Sequence, residues 1–220
     1  IYADSNINKK ILCITDKDFK IKCKDDLNRI SNFRPKHISE LLMKKGKKVI
    51  KKKLTLRKSL KGKEYKLKMD FQKIYFVRNN IAMVCQNTYG STFEDELFLA
   101  NIDKRENAIK LLKIVSSKSL NAFIEENELD FDCWKANVEK IKYKNTKDKI
   151  KKLINKYSNL IENDDGHKKI YEKLFFANLF LSYAENKKGE IALEILLDEE
   201  LMNNIVIPSY IKEGIKWLVK

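Results

Sequence analysis

The spacing of apolar residues changes once along this chain, and that change limits its possible folds more than any other feature. Before about residue 104, apolar residues fall in short unbroken runs or in strict alternation. Lys10-Ile11-Leu12-Cys13-Ile14-Thr15 is one run and Ile81-Ala82-Met83-Val84-Cys85 another. Runs this short predict strands buried in a parallel sheet. Beyond residue 104 the spacing is helical: Ile109, Leu112 and Val115; Leu153, Ile154, Tyr157 and Ile161; Ile170, Leu174, Ala177 and Leu181. Asn163-Asp164-Asp165-Gly166 predicts a turn between two of these helices. Pro208 predicts the start of a last one, with Tyr210, Ile211, Ile215 and Leu218 inward. The 220 residues therefore divide into an α/β part over 1–103 and an all-α part over 104–220.

Within the helical part, Phe175, Phe176, Phe180 and Tyr183 crowd one segment with Leu174, Leu179 and Leu181. That crowding predicts a core helix rather than a base-stacking surface, with Trp134 and Trp217 as packing anchors. His167 stands alone at a helix start and is expected to be structural. Cys13, Cys23, Cys85 and Cys133 have neither CxxC pairing nor metal-type spacing, so buried thiols in a reducing cytoplasm are expected. No apolar run approaches the roughly 18–20 residues of a membrane helix.

Charge is concentrated in one place. The chain carries a formal +15, and residues 44–73 alone hold fourteen Lys or Arg against Glu64 and Asp70, a net of 14 − 2 = +12. Such a surplus speaks for a polyanionic partner. Leu54 and Leu56, then Tyr65, Leu67, Met69 and Phe71, alternate with polar residues on either side of Lys61-Gly62-Lys63. This pattern predicts a basic β-hairpin. Lys51, Lys53, Arg57, Lys66 and Lys68 are its candidate DNA contacts, gripping phosphates without reading sequence. A lysine-coated edge hairpin that only prevents strand pairing is the alternative.

Asp16 and Asp18 lie where the first apolar run ends, the edge at which open α/β sheets place their ligands. On an extended strand both carboxylates would point to one side, an arrangement that needs a neutralising cation and suits Mg²⁺ or Mn²⁺. Glu94, with Thr92 two residues earlier, opens a helix after the second run and could face that pair. Glu94, Asp95 and Glu96 would equally serve as ordinary first-turn acids.

Ile11 to Asp18 resembles the strand and DxD element of a Toprim domain. Thr92-Phe93-Glu94-Asp95-Glu96-Leu97 is similar to the element that follows it in the OLD (overcoming lysogenization defect) family of ATP-dependent nucleases. Lys188-Gly189-Glu190-Ile191-Ala192-Leu193-Glu194-Ile195 and Ile207-Pro208-Ser209-Tyr210-Ile211, with Gly214, Ile215 and Trp217, look like the helical ending of those proteins. The resemblance implies a Toprim-like α/β fold, an incomplete parallel sheet with a basic hairpin insertion, followed by an all-α C-terminal domain. It implies a Mg²⁺- or Mn²⁺-dependent DNA endonuclease or nickase using one or two ions. Asp16, Asp18, Glu94 and Thr92 would be metal ligands, Asp16 and Glu94 also catalytic, with Lys188 or its neighbour Lys187 on the scissile phosphate.

The same resemblance implies a cytoplasmic anti-phage effector of the Gabija or retron-linked kind, homo-oligomeric, working with an ATPase in the same parent chain and with further defence partners. ATP would act only through that ATPase. Upstream of Asp16 the sole acidic residue is Asp4. A glutamate-bearing first Toprim strand and the ATPase are therefore expected before Ile1, and this piece alone is expected to cleave poorly. One alternative comes from a different class, a basic nucleic-acid-binding module without catalysis, and a second is a Toprim enzyme of another kind, a primase or topoisomerase fragment. For the latter, nothing marks a nucleophile among the nine tyrosines. A third makes the helical part a protein-interaction domain.

Overall fold

The computed structural model describes residues 10–16, 21, 25–27, 74–78, 81–86 and 88–219. They fall into two compact units: one gathers the described residues up to Thr92 with those from Pro208 onward, the other spans Phe93–Ile207. The sequence suggested a single boundary near residue 104. The helical unit instead begins at Phe93, and the last helix belongs with the sheet.

In the first unit, β1 (Ile11–Ile14), β2 (Ile74–Arg78) and β3 (Ile81–Val84) form a three-stranded sheet in the order β1-β3-β2. β1 and β3 pair in parallel, Ile11 against Ile81 through Ile14 against Val84. These are the two apolar runs, and β3, the middle strand, buries Ala82 and Val84 completely. β2 pairs antiparallel with β3, with an irregularity between Phe76 and Arg78, so the sheet is mixed rather than purely parallel. The basic hairpin expected over 44–73 lies outside the described residues.

The last helix of the chain, Ser209–Val219, packs on β1 and β3. Its inner side is Tyr210 and Gly214, while Ile215 and Leu218 are exposed, against expectation. The reason is close approach. A Cβ on Gly214 would stand 2.9 Å from Leu12 Cδ2 and 3.2 Å from Val84 Cγ1. The tip of Leu12 can move aside for one methyl group, whereas the buried, β-branched Val84 cannot make room for more. Gly214→Val should therefore cost about 1–3 kcal/mol by overpacking, and Gly214→Ala much less. Equal melting temperatures for wild type and the valine variant would contradict this packing.

The second unit is helical throughout: α1 (Phe93–Asn101), α2 (Arg105–Val115), α3 (Lys118–Asn127), α4 (Phe131–Asn137), α5 (Lys144–Asn163), α6 (Lys168–Ala184), α7 (Lys188–Leu197) and α8 (Glu199–Asn204). The helix on the sheet is α9. The described residues are thus mostly helical, and no described helix is long and apolar enough to cross a membrane. α5 buries Ile150, Ile154 and Tyr157 on one stripe of a lysine-rich helix. Burial also pushes the Tyr157 phenol well above its usual range.

The centre of this unit is α6, which packs against α1, α2 and α5 and buries Tyr171, Leu174, Phe175, Phe176, Leu179 and Phe180. Phe175 meets Phe131 edge-on at 5.0 Å, and Phe98 stacks on Phe180 at 5.1 Å. Between α5 and α6, at the expected turn, buried Asp164 accepts from His167 Nδ1 at 2.8 Å and from the Tyr171 hydroxyl at 3.1 Å. Of the thiols, Cys85 is buried as expected. Cys133 is exposed, because Phe131 and Trp134 take the inward side of α4.

Candidate functional site

Asp16 sits just past the end of β1. The parallel pairing runs one residue beyond the strand, where the Thr15 N–H donates to the Val84 carbonyl at 3.0 Å. The next residue therefore emerges at the edge where β1 and β3 both end. There Gln86 Nε2 donates to Asp16 Oδ1 at 2.7 Å and lies 3.4 Å from the Tyr210 hydroxyl. Gln86 is almost fully buried, at 2% exposure, so the amide fixes the carboxylate from below. Gln86 did not stand out in the sequence, and Tyr210 was expected only as an inward packing residue. The available signal was a lone polar residue following a buried strand. β1 ends at Ile14, so the same-side argument for Asp16 and Asp18 does not rest on an observed strand, and Asp18 lies outside the described residues.

Glu94, Asp95 and Glu96 open α1, and all three are buried, at 7, 4 and 2% exposure. First-turn acids usually stand in solvent, where the helix dipole stabilises them cheaply. Three successive carboxylates taken out of water need cations or hydrogen bonds in return. One such partner is Lys188, at the start of α7, whose Nζ lies 2.7 Å from Glu94 Oε1. The glutamate side chain is 9% exposed and the lysine 62%, so the anion is enclosed while the cation still reaches water. Lys187, the neighbour considered for the same role, turns toward Glu190 instead, at 3.8 Å.

Four of the expected site residues fall among the described residues. Asp16 and Thr92 belong to the sheet unit, and Glu94 and Lys188 to the helical unit, where they are brought together. Thr92 is half-buried just ahead of α1. Lys51, Lys53, Arg57, Lys66 and Lys68 lie outside the described residues. The oxygen donors suit a hard cation such as Mg²⁺ or Mn²⁺ in kind. In number, no group of three or more His, Cys, Asp or Glu placed to hold a metal occurs among the described residues.

Of the seven lysines from Lys140 to Lys152, four are engaged: Lys140 with Glu126, Lys147 and Lys151 with Glu139, and Lys149 with the Ser182 carbonyl. Burial beneath Tyr183 pushes the Lys149 ammonium below its usual range. No protein-family model matches this chain, and no curated protein or solved structure matches it either.

Proposed function

We propose that this chain is the nuclease module of an OLD-like ATPase–nuclease, hydrolysing phosphodiester bonds of DNA with Mg²⁺ or Mn²⁺ in antiviral defence. One observation carries the proposal. Glu94 and Lys188, named separately from the resemblance as metal ligand and phosphate-contacting cation, touch at 2.7 Å across 94 residues of sequence. In this reading the sheet is Toprim-like, and Asp16, with Asp18, Glu94 and Thr92, would hold the metal. A bound Mg²⁺ or Mn²⁺ would supply an activated water and charge stabilisation on the leaving oxygen.

The residues of the chain do the positioning. Gln86 keeps the Asp16 carboxylate at the strand edge. Lys188 balances Glu94, and its exposed ammonium can turn to a phosphate oxygen. The lysine-rich stretch at 44–73 would hold the DNA backbone. In the parent protein a further glutamate and the ATPase would complete the machine.

The test separates a functional Glu94–Lys188 pair from a structural one. In the parent protein, Lys188→Ala should lower plasmid cleavage about ten- to hundredfold, as loss of an electrostatic contact to the reacting phosphate does. Because Glu94 is buried although Lys188 is exposed, breaking the pair should also cost about 1–3 kcal/mol of stability, so cleavage is compared per folded molecule. Unchanged, EDTA-sensitive cleavage together with a lowered melting temperature would make the pair merely structural. The charge block at 44–73 favours a second reading, a basic DNA-binding module without catalysis. Binding without any metal-dependent cleavage would establish it.

A further inference from the structure

Helix α7 turns an apolar stripe outward. Gly189, Ala192, Leu193, Leu196 and Leu197 recur at i, i+3, i+4, i+7 and i+8, which at about 100° per residue is one face. All five are exposed, Leu193 at 56%, Leu196 at 65% and Leu197 at 71%, while Ile191 is the buried residue of this helix. Beyond Lys188 at its first position, the border of the stripe is acidic, with Glu190 lying 3.8 Å from Lys187. Residues 189–204 hold Glu190, Glu194, Asp198, Glu199 and Glu200 and no Lys or Arg, within a chain of net +15. Lys110 stands against Asp198 and Glu200, at 3.1 and 2.6 Å, whereas Glu194 and Glu199 are exposed to solvent.

Helix α9 presents the opposite combination. Ile215, Leu218 and Val219 recur at i, i+3 and i+4 and are 47, 38 and 77% exposed. Lys212 and Lys216 are exposed along one edge of that stripe, Lys216 paired with Glu213. Each helix is therefore a half of an acid–base matched, apolar pair.

We propose that α9 of one copy docks on α7 of another, so that the chain self-associates head to tail. Ile215, Leu218 and Val219 would cover Leu193, Leu196 and Leu197, with Lys212 and Lys216 against Glu190 and Glu194. Charge selects this pairing. Two α7 faces meeting each other would set carboxylates against carboxylates, and two α9 faces lysines against lysines. Only the unlike pair buries both stripes without like-charge contact. A contact between unlike surfaces closes into rings or grows into chains. Three turns of helix on each side make a small interface, so the association is weak and concentration-dependent.

Sedimentation velocity of the full chain across a concentration series is the test. Wild type is expected to associate progressively, and less so at high salt. Leu196→Asp and Leu218→Asp should each weaken association about thirtyfold or more. Both positions are exposed, so circular dichroism should be unchanged. Mixed in equal amounts, the two variants should associate again and stop at a heterodimer, because one retains a working α9 and the other a working α7. A second pair, Glu190→Lys with Glu194→Lys and Lys212→Glu with Lys216→Glu, should likewise regain contact only with each other. Wild type that stays monomeric, or a mixture that restores nothing, overturns the proposal. Sensitivity to Leu196→Asp without sensitivity to Leu218→Asp would assign α7 another occupant and overturn it too.

Discussion

Replacing Lys51, Lys53, Arg57, Lys66 and Lys68 by glutamine should flatten the salt dependence of DNA binding and weaken it equally for all sequences. The motive is density: fourteen cations in thirty residues, and about +3 across the remaining 190. Each phosphate contact releases condensed counterions, so five or six contacts give a slope of log K against log salt near −4 to −5 for duplex DNA. Removing five cations should bring that slope toward zero and cost about two to three orders of magnitude in affinity at low salt. A fluorescence-anisotropy salt titration of wild type and variant reads both quantities. An unchanged slope would move the DNA path to another surface. Lys142, Lys144 and Lys152 are then the first candidates, because they are the exposed lysines of 140–152 beside the four engaged ones.

Trp134→Ala should destabilise the helical unit by about 3–5 kcal/mol, as truncation of a fully buried large aromatic does. Trp134 has no exposed surface and meets Phe123 at 5.0 Å, Phe176 at 5.7 Å and Phe175 at 5.9 Å, each edge-on. Its Nε1 donates to the Glu128 carbonyl at 2.7 Å. That carbonyl belongs to a residue at φ 47°, a left-handed conformation rare outside glycine, where α3 ends. The indole thus closes the turn between α3 and α4 as well as filling the core. Trp134→Phe keeps most of the packing and loses the hydrogen bond, and should cost about 1–2 kcal/mol. Urea unfolding followed by circular dichroism measures both. A loss below about 1 kcal/mol for the alanine variant would contradict the central place given to this residue.

What the sequence made legible depends on whether the governing interaction is local. β1 and β3 announce themselves as short unbroken apolar runs, but only the central strand has the expected burial, at Ala82 and Val84, whereas β1 lies at an edge with Ile14 53% exposed. β2 was missed. Ile74-Tyr75-Phe76-Val77 is itself a short apolar run, but it follows directly on the lysine-rich stretch and nothing local sets it apart from the alternating pattern there. The aromatic crowding of α6 was legible as core for a similar reason, since a helix apolar on most sides has nowhere to go but inside.

Direction is harder than periodicity. In α9 the inward positions are Tyr210 and Gly214, and a glycine does not register as an apolar anchor, so Ile215 and Leu218 looked like the buried stripe. In α7 the 3.6-residue repeat of leucines is plain, but nothing local says that it faces out. The candidate site divides along the same line. Asp16 at a strand end could be read from neighbours in sequence. Gln86 beneath it, and the burial of Glu94, Asp95 and Glu96, come from packing between distant segments. The Glu94–Lys188 contact spans 94 residues, and no local pattern marks it.

The measurement that bears most directly on the proposed nuclease is plasmid cleavage by the parent protein carrying Asp16→Asn, in Mg²⁺ and in Mn²⁺. Asparagine keeps the size of the side chain and an oxygen for the Gln86 amide to reach, and removes the charge a divalent cation would need. Cleavage should fall about a hundredfold or more, since metal-assisted hydrolysis depends on the ligand set being complete. The salt-dependent DNA affinity and the melting temperature should stay where they were. Undiminished, EDTA-sensitive cleavage by that variant would contradict the assignment of the strand edge as the metal site, and with it the nuclease drawn here.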